Sequence, residues 1–309
     1  MPYIGGLYMK TGIFQGCFPQ DMQLDQCMDL ARRIGFDAIE LSLECPKEVW
    51  EDPAVAGNED VMNIGRSAGL GDPRPGALTI EYTDGDLESV AQSARKSGTK
   101  ILGLASLAMF AYPLTSETKR VSDKGMEVAE KLIKAGAFFG AESVLIMPGM
   151  VTSDTPYDVA WERSKDALKS LLKKAKQYGV KLAVENVWNK FLLSPLEMTE
   201  YIDSFNSDYA RVYFDVGNVA IYGYPEQWIR ILGHRISNVH LKDFSREVGN
   251  ICGFTHLLAG DVDWPRVMSA LKQIGYDGYV TLEVPPYRHL SEKGLEDSIS
   301  TIRRLIEMR

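Results

Sequence analysis

Little in this chain can be crosslinked. Four cysteines, Cys17, Cys27, Cys45 and Cys252, are scattered through 309 residues, and no two stand at a CxxC spacing. Neither a disulfide framework nor a thiolate zinc site is expected, and free thiols in a reducing compartment are. Long apolar runs are also missing. No stretch approaches 18 uninterrupted apolar residues, so no membrane-spanning helix is expected. The opening "MPYIGGLYMKTGIF" has no charged start leading into an apolar core, so no signal peptide is expected. Basic charge is not in surplus: 34 Lys and Arg stand against 42 Asp and Glu, a net charge of −8. Nucleic-acid binding rests on Lys and Arg neutralising phosphates, so a nucleic-acid partner is not expected. Finally, no GxGxxG follows the first strand-like segment, which argues against an open doubly wound sheet.

What is present is an alternation. "KTGIF" reads as a first strand and Met22–Ile34 as the helix after it, stopped near Gly35. "DAIELSL" is the second strand. An irregular excursion at about 45–86 follows, rich in Gly, Pro, Asp and Asn, and too long for an ordinary connection. "DGDLESVAQSARKSG" reads as a helix, "KILGLAS" as strand three, Thr115–Phe139 as a long helix opened by Ser116, and "SVLIMPG" as strand four. The helix Tyr157–Tyr178, strand "VKLAVEN", helix "SPLEMTEYIDSF", strand "RVYFD" and helix "YPEQWIRILG" continue the series. "SNVHLKD", "WPRVMSALKQIG", "GYVTLEV" and a last helix Gly294–Glu307 complete it. Eight nearly apolar strands, each followed by a helix, predict one (β/α)8 TIM barrel spanning residues 1–309.

In such a barrel the chemistry sits at the carboxyl ends of the strands. Four consecutive strands end on polar residues: Glu185 in "AVENVWN", Asp215 in "YFDVGN", His240 in "NVHLKD" and Glu283 in "TLEV". Alone, each has a bland reading: Asp215 as a turn or helix cap, His240 as a satisfied core histidine, the glutamates as loop anchors. Together they would converge. Three crowded carboxylates repel and raise one another's pKa unless a cation neutralises them. Three oxygen donors and one imidazole suit one divalent ion, Mn²⁺ first, with Mg²⁺, Co²⁺ or Zn²⁺ as alternatives. Such an ion leaves room for sugar oxygens and acts as a Lewis acid beside a carbonyl. Glu185 and Glu283, on either side, are placed to move protons at opposite faces of the sugar, which inverts a centre or shifts a carbonyl.

At these residues the chain resembles the xylose isomerase-like TIM-barrel superfamily. The likeness runs from "GFDAIELS" through "VENVWN", "YFDVGN" and "VHLKDF" to "LLAGDVDWPRVMSALKQIGYDGYVTLEV". It is nearest to L-ribulose-5-phosphate 3-epimerase and hexulose-6-phosphate isomerase types, with D-tagatose 3-epimerase further off. The resemblance implies Glu185, Asp215, His240 and Glu283 as ligands of one metal ion, often manganese, and Glu185 with Glu283 as the acid/base pair. It places Arg246 where the tagatose-type enzymes hold substrate, and Asn218 where they carry a histidine. His256 and Trp188 are further candidates for the substrate pocket. The expected activity is a metal-dependent sugar or sugar-phosphate isomerase or 3-epimerase working through an enediolate. The alternative is a lyase or dehydratase of the same superfamily, acting on a keto-cyclitol or 3-oxo-glycoside. A small-molecule sugar as partner, a homo-oligomer (dimer or tetramer) and a cytoplasmic location go with this expectation. A phosphodiester hydrolase is disfavoured, because its multi-metal cluster needs more histidines than His234, His240, His256 and His289 provide. Arg288 and His289, after strand eight, read as a solvated rim.

Overall fold

Strand-forming runs and helix stops fall in the order the pattern predicts. The computed structural model describes residues 9–56, 59, 62 and 72–308. Its first half runs β1 (Lys10–Phe14), α1 (Leu24–Ile34), β2 (Ala38–Ser42), α2 (Asp84–Ser97), β3 (Lys100–Ala105), α3 (Lys119–Phe139), β4 (Ser143–Ile146) and α4 (Tyr157–Tyr178). The second half runs β5 (Lys181–Glu185), α5 (Pro195–Asp203), β6 (Ala210–Asp215), α6 (Pro225–Leu232), β7 (Ile236–Leu241), α7 (Trp264–Gln273), β8 (Tyr279–Leu282) and α8 (Ser291–Glu307). All eight strands are parallel and lie in the order β3-β2-β1-β8-β7-β6-β5-β4. The pairing of β1 with β8, Lys10 opposite Tyr279, bends this ladder into a barrel. The ends of the ladder, β3 and β4, also lie side by side: a Cβ on Gly103 would come 3.2 Å from the Ser143 carbonyl oxygen. The architecture is therefore the expected TIM barrel.

Successive strand residues face opposite ways, so residues two apart share a face. Two hydrogen bonds show which residues face inward, because each crosses the barrel between strands that are not neighbours. Ser143 Oγ on β4 donates to Asn238 Oδ1 on β7 at 2.5 Å. His240 Nε2, also on β7, meets Glu40 Oε2 on β2 at 2.6 Å. The outward faces pack under the helices, with Ile39, Leu41, Val144, Val184, Val239 and Leu282 fully buried.

The helix ends follow local chemistry. Ser194 Oγ accepts from Glu197 N at 3.2 Å and Pro195 opens α5, the pairing that suits a helix start. Glycines at φ 69° (Gly140) and 71° (Gly179) stop α3 and α4 in the left-handed region. Three starts differ from expectation, one of them α8, which opens at Ser291 rather than Gly294. α1 begins at Leu24, because Met22 closes a turn onto the Pro19 carbonyl at 3.1 Å. α3 begins at Lys119, because Thr115 is tied to the β4 loop: its hydroxyl donates to Met150 O and accepts from Met150 N, both at 2.8 Å.

Part of the irregular excursion, residues 57–58, 60–61 and 63–71, lies outside the described residues. The rest holds two helical turns, Glu48–Glu51 and Pro53–Ala56. Its return leg is pinned by Arg74. That buried guanidinium donates to the carbonyl oxygens of Gln15, Phe18, Pro19 and Met22, and Arg74 N donates to Glu44 Oε2 at 2.6 Å. The excursion is thereby fixed to the mouth of the barrel beside β1 and β2. Among the described residues no helix is long and apolar enough to cross a membrane.

Candidate metal centre

β5 ends on Glu185, β6 on Asp215, and β7 carries His240 one residue before its end. Glu283 follows β8, with its N–H donating to Leu241 O at 3.0 Å. The register carries these residues to one level: Asp215 stands opposite His240, and His240 opposite Thr281, two residues before Glu283. One ligand atom from each of Glu185, Asp215, His240 and Glu283 lies within 4.8 Å of every other. His240 Nδ1 is 3.2 Å from Glu283 Oε2, 3.7 Å from Glu185 Oε1 and 3.8 Å from Asp215 Oδ2.

The acid that closes "RVYFD" does two jobs at once. Asp215 Oδ1 caps the short helical turn Val216–Val219 by accepting from Asn218 N at 2.8 Å. Its other oxygen, Oδ2, faces His240 and Lys242. The cap fixes the carboxylate's rotation, and so aims Oδ2 into the centre. Asn186 fastens the same point, donating to Asp215 O at 2.8 Å and accepting from Asp215 N at 2.9 Å. Asn218 Nδ2 donates to Asn186 O at 3.0 Å and to Glu185 Oε1 at 3.4 Å. The "VEN" and "DVGN" segments are thus one interlocked unit.

Sequence reasoning passed over Lys242. It lies two residues after His240 and so shares its inward face. Its Nζ is 2.5 Å from both Asp215 Oδ2 and Glu283 Oε2, and 4.9 Å from the centre of the Phe254 ring. Gly217 makes room for it: a Cβ there would sit 2.5 Å from Lys242 Cγ and 2.9 Å from its carbonyl oxygen. Asp243 was also overlooked. It is fully buried and accepts four hydrogen bonds, from Phe244 N (2.8 Å), Leu258 N (3.0 Å), Val262 N (3.1 Å) and Trp264 Nε1 (2.8 Å). The "LLAGDVDW" loop is therefore knotted to the residue that follows Lys242. Asp243→Ala would strand four donors, three of them in buried hydrogen bonds, and is expected to lower stability by on the order of 3–5 kcal/mol in urea unfolding.

Charge is distributed unevenly over the four residues. Burial pushes Asp215 up to about 7; Glu283 and Glu185 add to the rise, and Lys242 opposes it. Burial also raises Glu185. Glu283 is the exception: burial disfavours its charge, yet Lys242 and His240 hold it below the ordinary carboxylate range. Burial disfavours a charged His240 as well, but the Glu283 and Glu40 carboxylates hold it well above its usual value. The centre thus gathers negative charge that recruits every nearby cation. His240 Nδ1, buried and without a hydrogen-bond partner, is aimed into it. Three carboxylates and an imidazole so arranged fit a divalent cation of the hard-to-borderline kind.

The remaining sequence candidates surround this core. Trp188 Nε1 donates to Asn218 O at 2.8 Å, and its ring packs on Phe244 (5.6 Å) and Phe254 (5.1 Å). These three rings pack together, and Phe254 lies against Lys242. Arg246 is exposed on the rim, its Nε donating to Ala220 O at 2.8 Å and its guanidinium 5.7 Å from the Tyr224 ring. His256 is half-buried against Tyr287, ring centres 4.5 Å apart, and burial lowers its pKa. A short antiparallel pair, Asp243–Phe244 with Phe254–Thr255, carries these rim residues and was not expected from sequence.

The fold and the site together are an eight-stranded parallel barrel with a cluster of carboxylates and a histidine at its carboxyl end. Residues 28–305 match the model of the xylose isomerase-like TIM barrel family, and the chain belongs to that family. A putative L-ribulose-5-phosphate 3-epimerase, SgbU of Haemophilus influenzae, is 23% identical over 287 residues, covering 89% of this chain and 88% of that protein. L-ribulose-5-phosphate 3-epimerase UlaE of Escherichia coli O1:K1 is 22% identical over 278 residues, with 89% and 87% covered. Among solved structures, an L-ribulose 3-epimerase superposes with a TM-score of 0.73 at 18% identity, covering 97% of this chain and 95% of the other.

Proposed function

We propose that the protein is a divalent-metal-dependent 3-epimerase or isomerase of a ketose or ketose phosphate. The observation that carries this reading is the convergence of two glutamates, an aspartate and a histidine within 4.8 Å at the barrel mouth. The names of the relatives agree with it. A bound divalent ion, Mn²⁺ first, supplies Lewis-acid polarisation of adjacent carbonyl and hydroxyl oxygens. Glu185, Asp215, His240 and Glu283 would hold it.

The chain's own residues then do the proton work. Glu185 and Glu283 come from strands on the two flanks of the centre, so each addresses a different face of the sugar. One takes the proton from the carbon beside the carbonyl, and the other returns it from the opposite side. Lys242 holds Glu283 and Asn218 holds Glu185, which fixes the two carboxyl groups before substrate arrives. The wall of Trp188, Phe244 and Phe254 keeps water from the carbanion-like intermediate. Arg246 and His256, on the rim, face the end of the sugar remote from the reacting carbon.

Incubation with ketoses and ketose phosphates in D₂O tests the reading by NMR. Epimer formation with one solvent deuterium at the inverted carbon is expected. Loss of water or of an aglycone without an epimer would mark the lyase chemistry of the same family. No exchange with any member of the panel, with Mn²⁺ present, would contradict both.

A further inference from the structure

Beneath the four ligands lies a carboxylate that no bulk property of the sequence accounts for. Glu40 sits in the middle of β2, where all five residues are buried, and is itself 0% exposed. Its Oε2 reaches across the barrel to His240 Nε2 at 2.6 Å. The opposite ring nitrogen, Nδ1, is the one turned toward Glu185, Asp215 and Glu283. Tyr213 packs on the imidazole, ring centres 4.3 Å apart at 45°, and Phe14 stands 6.2 Å away. The ring is thus held at one edge by a hydrogen bond and on its face by an aromatic.

Burying a carboxylate in a barrel core is costly unless a partner compensates it, and an aliphatic side chain would pack there without that cost. The surroundings of Glu40 are consistent with a retained polar purpose. Its second oxygen, the Tyr213 hydroxyl and the Thr281 hydroxyl are all buried without a hydrogen-bond partner.

We propose that Glu40 is a positioning residue of the metal centre. It accepts the Nε2 proton of His240, fixes the tautomer whose Nδ1 lone pair faces the three carboxylates, and so sets the affinity for a divalent ion. Without that acceptor the imidazole is free to place its proton on Nδ1, where it would face the ion. A carboxylate behind a ligating imidazole also makes it a better donor, and losing such a partner costs about 10–100-fold in metal affinity. The inference rests on the metal reading above.

Mn²⁺ titration of the metal-stripped protein, followed calorimetrically, tests it, with melting in EDTA measured alongside. Glu40→Gln keeps an acceptor but loses the charge, and should weaken Mn²⁺ binding about tenfold. Glu40→Met removes the acceptor, and should weaken it toward about a hundredfold. A merely structural Glu40 would lower the melting temperature in EDTA and leave the Mn²⁺ dissociation constant of the folded variant unchanged; that result in Glu40→Gln overturns the proposal. Nitrogen-15 shifts of His240 in the Mg²⁺-loaded protein give a second readout. With the ion on Nδ1 the proton sits on Nε2 in both proteins, so a strongly hydrogen-bonded, downfield Nε2–H in wild type that moves upfield in Glu40→Met supports the proposal, and an Nε2–H unchanged between the two overturns it. Asp215→Asn serves as the reference. If it and wild type both fail to bind Mn²⁺, the metal reading falls and takes this proposal with it. If Asp215→Asn loses the ion while both Glu40 variants bind as wild type does, only the role of Glu40 falls.

Discussion

Glu283→Gln is expected to cut epimerisation by about 10²–10⁴-fold at saturating Mn²⁺, and Glu185→Gln to do the same. Both substitutions keep the shape of the side chain and one potential ligand oxygen, but neither leaves, at the substituted position, a group that can accept a proton from carbon. The two variants should differ from one another in a second assay. Each glutamate serves one face of the sugar, so a variant lacking one of them still exchanges the proton that points toward the other. Glu283→Gln should wash solvent deuterium into one epimer only, and Glu185→Gln into its mirror partner at that carbon, with no interconversion in either case. NMR of each epimer in D₂O reads this directly. Wild-type turnover in either variant, or exchange of both epimers in both, would contradict the two-glutamate assignment.

Removal of the ion should have an effect of similar size. Dialysis against EDTA is expected to abolish turnover, and Mn²⁺ to restore it. The same ion should stabilise the fold. Three carboxylates drawn within 4.8 Å of one another and of an imidazole gain from a cation in the native state alone. At a free ion concentration 100-fold above the dissociation constant the gain is about 2.7 kcal/mol. Asp215→Asn weakens one ligand and disturbs the link to Lys242, so most of that gain should vanish in thermal melts. Unchanged melting of wild type across a Mn²⁺ series, together with turnover that survives thorough chelation, would contradict the metal reading.

The barrel was legible because each of its parts has a local cause. Buried parallel strands need near-continuous apolar runs, and glycine stops such as Gly140 and Gly179 end helices wherever the chain must turn back. The convergence of Glu185, Asp215, His240 and Glu283 was legible because they stand at the ends of four strands that neighbour one another in the sheet. Glu40 and Lys242 were not read, although both left a signal. Each is a charged residue inside a strand or just past it, at a spacing of two from an inward-facing neighbour. What the sequence could not supply was the partner: Glu40 lies 200 residues from His240 and meets it across the barrel rather than along the sheet. The start of α3 was misplaced for a related reason. Ser116, read as the opener, accepts from Thr118 N before the helix starts, and the neighbouring Thr115 hydroxyl is engaged by Met150 on another loop, which only the tertiary structure reveals. Asp215 is a cap through Oδ1 and turns Oδ2 into the cluster, so the cap reading leaves room for the proposed ligand role.

The most direct test is a crystal grown with Mn²⁺ and measured at the manganese absorption edge. A single anomalous peak bonded to Glu185, Asp215, Glu283 and Nδ1 of His240 is the result this account predicts. A peak elsewhere, or none at that point with Lys242 still bridging Asp215 and Glu283 at saturating Mn²⁺, would contradict it.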